Sequence, residues 1–118
     1  MPENYYRGSC QCGAVHYEVV VDTDHAIVCN CSRCKPMGFV LAFAPREQFR
    51  LLAGADQLSE YRFNTKRIAH LFCRTCGVES FAYGEMPNGE QIVAVNVNCL
   101  DGIDPRKLKV SEMDGRSA

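Results

Sequence analysis

The chain has 118 residues and a net charge of −1, with 13 Lys and Arg against 14 Asp and Glu. This length indicates one domain over residues 1–118, and the balanced charge argues against a nucleic-acid-binding protein or an acidic disordered one. No apolar run approaches the ~20 residues that a membrane-spanning helix needs, and the first residues lack the apolar core of a signal peptide. We therefore expect a soluble, cytoplasmic protein with no nucleic-acid or membrane partner.

A first pair of cysteines lies near the N-terminus, in the segment Gly8-Ser9-Cys10-Gln11-Cys12-Gly13. Residues i and i+2 of an extended strand point to the same face, so we expect Cys10 and Cys12 to approach one ion together. The flanking glycines would allow the backbone to bend tightly around that ion.

Residues 14–21 are rich in β-branched side chains, which predicts a strand, and residues 22–25 have the composition of a loop. His16 falls in this strand and His25 in this loop. Neither has the close partner that zinc-binding histidines have, so we interpret both as ordinary surface or core residues.

Three thiols fall within six residues in the segment Cys29-Asn30-Cys31-Ser32-Arg33-Cys34. They are too many for one disulfide and one short of a closed zinc site, so they suit an ion that keeps one coordination position free. Proline and glycine in residues 35–38 disfavour a helix, which predicts a turn at Cys34. Arg33 and Lys35 would favour the thiolate form and could attract a substrate carboxylate; solvated charges on a turn are the equal alternative.

The rest of the chain alternates between short apolar segments and turns. We predict strands over residues 39–44, 50–53, 58–63, 68–72, 81–83 and 92–97, one helical turn from Pro45, and turns at 64–66 and 86–89. Short strands without a long amphipathic helix indicate an all-β domain. We expect its core at about residues 6–105, and a mobile tail from Ser111 because that segment has little to bury.

The segment Cys73-Arg74-Thr75-Cys76-Gly77 has the form of a zinc knuckle. Two intervening residues let the chain fold back so that both sulfurs reach one ion, and Gly77 fits the positive-φ position after the turn. A second cysteine pair elsewhere in the chain would complete such a site.

The eight cysteines divide economically into four, three and one, and in a reducing cytoplasm we expect clustered thiols to bind metal rather than form disulfides. Zinc is preferred because no spacing matches the ferredoxin run. The two pairs would form a closed structural site: Cys10, Cys12, Cys73 and Cys76. The triplet would form an open site: Cys29, Cys31 and Cys34.

Cys99 and His70 leave an alternative open, in which one of them completes the triplet as a second structural site. Otherwise we expect Cys99 to be a buried or half-buried thiol, since its neighbours offer no base. We expect His70 to pack in the core or behind the metal ligands of the adjacent knuckle.

The order C-x-C, C-x-C-x-x-C and C-x-x-C, followed by Asn98-Cys99-Leu100-Asp101, resembles the glutathione-dependent formaldehyde-activating enzyme family, which also contains the centromere protein V domain. The resemblance covers about residues 6–105. It implies a zinc-stabilised β-tent of small antiparallel sheets with two zinc ions per chain. In that family the outer pairs hold a structural zinc and the middle triplet a catalytic zinc, which here implies Cys10, Cys12, Cys73 and Cys76 for the first and Cys29, Cys31 and Cys34 for the second.

The resemblance also implies a carbon–sulfur lyase that joins formaldehyde to glutathione, as S-(hydroxymethyl)glutathione synthase does, or that acts on a related small thiol adduct. Three thiolates weaken the Lewis acidity of their ion, so we expect the open site to bind and orient the thiol. Two alternatives are a non-catalytic zinc-binding interaction module and an enzyme similar to methionine sulfoxide reductase with Cys99 as nucleophile.

Overall fold

The structure, a computed structural model, describes residues 4–62 and 68–115. Within these ranges the chain consists mainly of strands, which confirms the predicted all-β class. In chain order the strands are β1 (Asn4–Ser9), β2 (His16–Val21), β3 (Ile27–Cys29), β4 (Leu41–Pro45), β5 (Phe49–Ala53), β6 (Leu58–Tyr61), β7 (Ala69–Cys73), β8 (Phe81–Glu85), β9 (Gln91–Asn96) and β10 (Ser111–Met113).

The strands form two sheets. The small sheet has the order β1-β2-β5, and both of its pairings are antiparallel. The large sheet has the order β10-β3-β4-β9-β8-β7-β6, and it is antiparallel except for the parallel pair of β10 with β3. In this sheet β3, which carries Cys29, lies between β10 and β4.

Helical structure among the described residues is limited to single turns. One α-helical turn, α1 (Cys34–Met37), follows the cysteine triplet, and five 3₁₀ turns connect strands elsewhere. The 3₁₀ turns are Thr23–His25, Arg46–Gln48, Ala55–Gln57, Val97–Cys99 and Pro105–Lys107. None of these helices is long enough to span a membrane.

The core lies between the two sheets. Tyr17 of β2 is fully buried there, packs against the rings of Phe49 and Phe81 at 5.0 and 5.5 Å, and donates a hydrogen bond of 3.0 Å to the Ser80 carbonyl. Alternate residues of the large sheet complete this core: Ala42, Ala44, Leu71, Phe81, Val93 and Val95. Because side chains alternate along a strand, the residues between them face the other side of the large sheet.

Two local predictions near the cysteines are wrong. Cys10 and Cys12 do not share an extended strand, because β1 ends at Ser9 and the chain then turns, with the Gly13 amide donating to the Cys10 carbonyl at 3.2 Å. Residues 35–37 do continue a helical turn, since Pro36 falls in the first turn, where its missing N–H costs nothing. Gly38, with φ +69°, then ends that turn.

The segment from Ser111 is the largest departure from expectation, because it forms β10 rather than a tail without regular structure. Its register sets Ser111 opposite Ile27 and Met113 opposite Cys29. All three residues of β10 are exposed, so backbone pairing rather than burial holds the strand in place. The other predicted strands agree with the structure to within two residues, except that residue 63 and the predicted turn at 64–66 lie outside the described ranges.

Candidate metal centres and the adjoining cavity

The fold brings together the four cysteines of the predicted closed site. Cys10 and Cys12 lie in the turn after β1, and Cys73 and Cys76 at the end of β7 and just beyond it. Their four Sγ atoms lie within 4.8 Å of one another, and Cys12 Sγ is 3.7 Å from the sulfurs of both Cys10 and Cys73. Four sulfurs arranged tetrahedrally at ~2.3 Å from a zinc ion are about 3.8 Å apart. The donor set and its spacing therefore fit zinc.

Backbone amides surround the sulfurs of this closed site. The Val15 amide points to Cys10 Sγ and the Thr75 amide to Cys73 Sγ, each at 3.4 Å. Amide hydrogen bonds from Cys76 and Thr75 lower the pKa of Cys73. Burial opposes ionisation of Cys76, but amide hydrogen bonds from Val78 and Cys12 outweigh it and lower its pKa to about 6. These amides favour the thiolate, the form that binds metal, at Cys73 and Cys76. At Cys12 an amide hydrogen bond from Ala14 is outweighed by burial and by the neighbouring thiols, which raise its pKa to about 11.

The knuckle turn has the predicted backbone conformation. Gly77 has φ +80°, and its amide donates a hydrogen bond of 2.7 Å to the Cys73 carbonyl. Glycine adopts this left-handed conformation without the steric cost that a Cβ atom would bring. The turn thus aims the sulfurs of Cys73 and Cys76 at one point.

The triplet forms a second, separate cluster. Cys29 ends β3, Cys34 begins α1, and the Sγ atoms of Cys29, Cys31 and Cys34 lie within 4.8 Å of one another. The Cys34 amide points to Cys31 Sγ at 3.3 Å, and the Lys35 amide donates to the Cys31 carbonyl at 3.0 Å. Within residues 4–62 and 68–115, no fourth His, Cys, Asp or Glu joins this cluster. The geometry fits a three-thiolate zinc site.

One alternative was that Cys99 or His70 is the fourth ligand of the triplet. Neither residue belongs to the cluster, so this alternative is wrong. The charges that act most on Cys99 are those of Cys10 and Cys76, which places it beside the closed site instead. Burial and these two thiols raise the pKa of Cys99 to about 12. Cys99 is thus a protonated, half-buried thiol at neutral pH.

The C-terminal strand lies directly against the triplet. The Asn30 amide donates to the Met113 carbonyl at 3.2 Å, and the Asn30 side chain donates to Asp114 at 2.9 Å. A Cβ atom built on Gly115 would lie 2.6 Å from Cys29 Sγ and 3.4 Å from Cys31 Cβ. Any residue larger than glycine at position 115 would therefore displace the sulfur of Cys29.

A buried glutamate, which the sequence analysis missed, holds the triplet from the other side. Glu79 is 3% exposed; its Oε1 accepts from Arg33 Nη2 and its Oε2 lies next to His70 Nδ1, both at 2.7 Å. The Arg33 guanidinium also lies over the rings of Tyr61 and Phe72, at 5.1 and 5.9 Å from their centroids. Arg33 is thus engaged by the protein itself, which argues against its proposed role as an anchor for a substrate carboxylate.

A cavity of about 390 Å³ adjoins the triplet on the side of the large sheet that faces away from the core. The three cysteines, His70 and Glu79 line it together with apolar side chains. Its apolar lining from the sheet strands is Ile27, Leu41, Phe43, Ala82 and Ala94. Except for Ile27, these residues alternate with the core residues of the same strands, so the sheet itself forms much of the cavity wall.

A second cavity, of about 490 Å³, shares four lining residues with the first: Cys29, Cys34, Phe39 and Met113. It is otherwise more polar, because Asn30, Lys35, Glu112 and Asp114 line it. Residues of β10 thus line both cavities at the triplet.

Comparison with known proteins places the chain beside one family and a solved structure. The family model of the glutathione-dependent formaldehyde-activating enzymes matches residues 5–113. The crystal structure of a Rhodobacter sphaeroides protein, a structural genomics target, is similar over 91% of this chain and 99% of that chain, with 35% sequence identity and a TM-score of 0.82. The match of the family model includes all eight cysteines.

Proposed function

Because the chain belongs to the glutathione-dependent formaldehyde-activating enzyme family, we propose that it is a zinc-dependent carbon–sulfur lyase. It would join a small thiol, such as glutathione, to an aldehyde, or cleave the resulting adduct. The observation that carries this proposal is the cluster of three thiols with no fourth protein ligand among the described residues, beside a cavity large enough for a substrate.

Two zinc ions are proposed, with different roles. The closed set would hold a structural ion: Cys10, Cys12, Cys73 and Cys76. The open set would hold a catalytic ion: Cys29, Cys31 and Cys34. A zinc ion bound there would supply a coordination position at which a thiol ionises near neutral pH.

The chain's own residues would position the reactants. The Arg33–Glu79 ion pair fixes the loop between Cys31 and Cys34, and apolar side chains would surround the substituents of the reacting sulfur. In the reaction the thiol sulfur bonds to the carbonyl carbon, and the thiol proton ends on the carbonyl oxygen, so no oxidant or reductant is needed. His70, held by Glu79, lines the same cavity, and we assign the transfer of that proton to its ring.

The proposal is tested by mixing formaldehyde with glutathione or a short alkyl thiol in the presence of the two-zinc protein. Exchange NMR measures how fast the adduct forms and breaks. We expect a rate well above the uncatalysed one, and the uncatalysed rate for the Cys29→Ser variant. Uncatalysed rates for every thiol with the fully loaded protein would refute the proposal.

Two observations count against the alternative functions. A non-catalytic module with two structural ions needs four protein ligands at each, whereas the described part of the chain supplies three at the triplet. A sulfoxide reductase with Cys99 as nucleophile needs a thiolate, whereas burial raises the pKa of Cys99 to about 12.

A further inference from the structure

We propose that the adduct handled at the triplet carries an apolar substituent, an alkyl or aromatic group of about five or more carbons, which occupies the 390 Å³ cavity. This inference rests on the proposed function and names its substrate class. The adduct of a thiol and an aldehyde is a thiohemiacetal. Its hydrophobic group can come from the thiol or from the aldehyde.

The size of the cavity exceeds what formaldehyde needs. At the ~30 Å³ that one water occupies in the liquid, 390 Å³ has room for roughly a dozen non-hydrogen atoms. Formaldehyde has only two. Most of the cavity would therefore hold a substituent of the adduct rather than its reacting atoms.

The lining of the cavity selects against charge. Glu79 is its one carboxylate among the described residues, and Arg33 and His70 already contact its two oxygens. No lysine or arginine of residues 4–62 and 68–115 lines it. The carboxylates of glutathione would lose their water there without gaining a cation, which is strongly unfavourable. A hydrocarbon group would gain about 25 cal/mol for each Å² it buries.

The rim of the cavity is apolar as well. Phe43, Ile68 and Met113 line it although they are 42%, 48% and 47% exposed. Exposed large apolar side chains gathered at a concave site indicate that something covers them in use. The cavity also includes the three thiols, so an occupant joined to the reacting sulfur or carbon covers this surface and reaches the triplet at once.

Calorimetry on the two-zinc protein tests the substrate class through binding alone. The ligands are ethanethiol, butanethiol, hexanethiol and 2-phenylethanethiol, each below its solubility limit, with glutathione for comparison. We expect affinity to rise about two- to fourfold for each added methylene, and 2-phenylethanethiol to bind more tightly than glutathione. Exchange NMR with formaldehyde, butanal and hexanal at a fixed thiol then shows whether the aldehyde side carries the group.

One variant and a matched control localise the effect. Ala94→Leu adds three carbons inside the cavity and should remove most of the gain for hexanethiol while ethanethiol binds as before. Ala55→Leu makes the same change in an exposed 3₁₀ turn that does not line the cavity, and it should change neither affinity. A zinc count of two in each variant verifies that both fold.

The possible failures are distinguishable. In the first, affinity and rate do not depend on the chain length of either the thiol or the aldehyde, while glutathione and formaldehyde still react. This result overturns the apolar substrate class and leaves the proposed function standing. Chain-length-dependent binding without catalysis of any pair supports the apolar class and refutes the lyase. A third outcome is that affinity does not depend on the chain length of the thiol and that the protein is a dimer, which Phe43→Ser converts into a monomer. This outcome overturns the proposal and assigns the apolar rim of the cavity to contact with a second copy of the chain.

Discussion

Arg33 Nη2 lies 2.7 Å from Oε1 of the buried Glu79, and Arg33 is the residue directly before Cys34. The loop that carries Cys31 and Cys34 is thus fastened to a carboxylate in the interior, which also contacts His70. The backbone of Glu79 is itself fixed to the large sheet, because the side-chain amide of Asn96 in β9 donates a hydrogen bond of 3.1 Å to the Glu79 carbonyl. The position of the last ligand in the triplet therefore depends on the large sheet.

Glu79→Gln should destabilise the zinc-loaded protein by about 2–4 kcal/mol, because it leaves the Arg33 charge without its counter-ion in a mostly buried place. Urea unfolding measures this loss. Glu60→Gln is the matched control, since Glu60 pairs with Arg62 on the surface and its loss should cost under about 0.5 kcal/mol. Equal effects of the two changes would mean that the buried pair does not hold the loop.

Cys29→Ser should reduce the zinc content from two ions to one and leave the fold intact, because the closed site shares no ligand with the triplet. Cys73→Ser should instead destabilise the whole domain, since structural zinc sites contribute on the order of 10 kcal/mol to folding. Elemental analysis and circular dichroism measure the two effects. Two ions retained in Cys29→Ser, or an unaffected fold in Cys73→Ser, would contradict this assignment of roles.

Gly115→Ala should weaken zinc binding at the triplet by about tenfold or more, because the new Cβ would stand 2.6 Å from Cys29 Sγ and displace it. Competition with a chromogenic chelator measures the affinity of each site. Gly84→Ala in β8 provides the comparison, since its nearest neighbour, Ile92 Cγ1, would be at an ordinary 3.6 Å. If both variants hold zinc as the parent does, β10 does not constrain the triplet.

Cys99 should resist alkylation by iodoacetamide at pH 8 in the zinc-loaded protein. With its pKa raised to about 12 by burial, its thiolate fraction at that pH is on the order of 10⁻⁴. Labelling should rise as the pH approaches 11, and mass spectrometry of peptides locates the labelled residue. Rapid labelling of Cys99 at pH 8 would reopen its role as a nucleophile.

The cysteine groups could be predicted from the sequence because the spacing within the triplet and within each pair is local, and counting ligands then joined the two pairs. Cysteines one or two residues apart can reach one ion with little help from the rest of the fold, and Gly77 marks the turn that the knuckle needs. The same locality explains the error at Cys10 and Cys12. A turn and a strand both bring two such sulfurs together, so the spacing alone did not decide between them.

Glu79 and the cavity could not be predicted, because both depend on contacts between distant segments. The ion pair of Glu79 joins residues 46 positions apart, and a single acidic residue after the knuckle carries no pattern. Strand β10 was missed for a related reason. Its exposed side chains show no alternation, and its partner β3 lies more than 80 residues earlier in the chain.

The parallel pairing of β10 with β3 has a consequence for synthesis on the ribosome. Until residues 111–113 have emerged, β3 presents unsatisfied amides along an open sheet edge, and Cys29 lies at its end. Such edges recruit strands from other chains, and nearby thiols can then crosslink them. The nascent protein is therefore exposed to oxidation and self-association until residues 111–113 pair with β3.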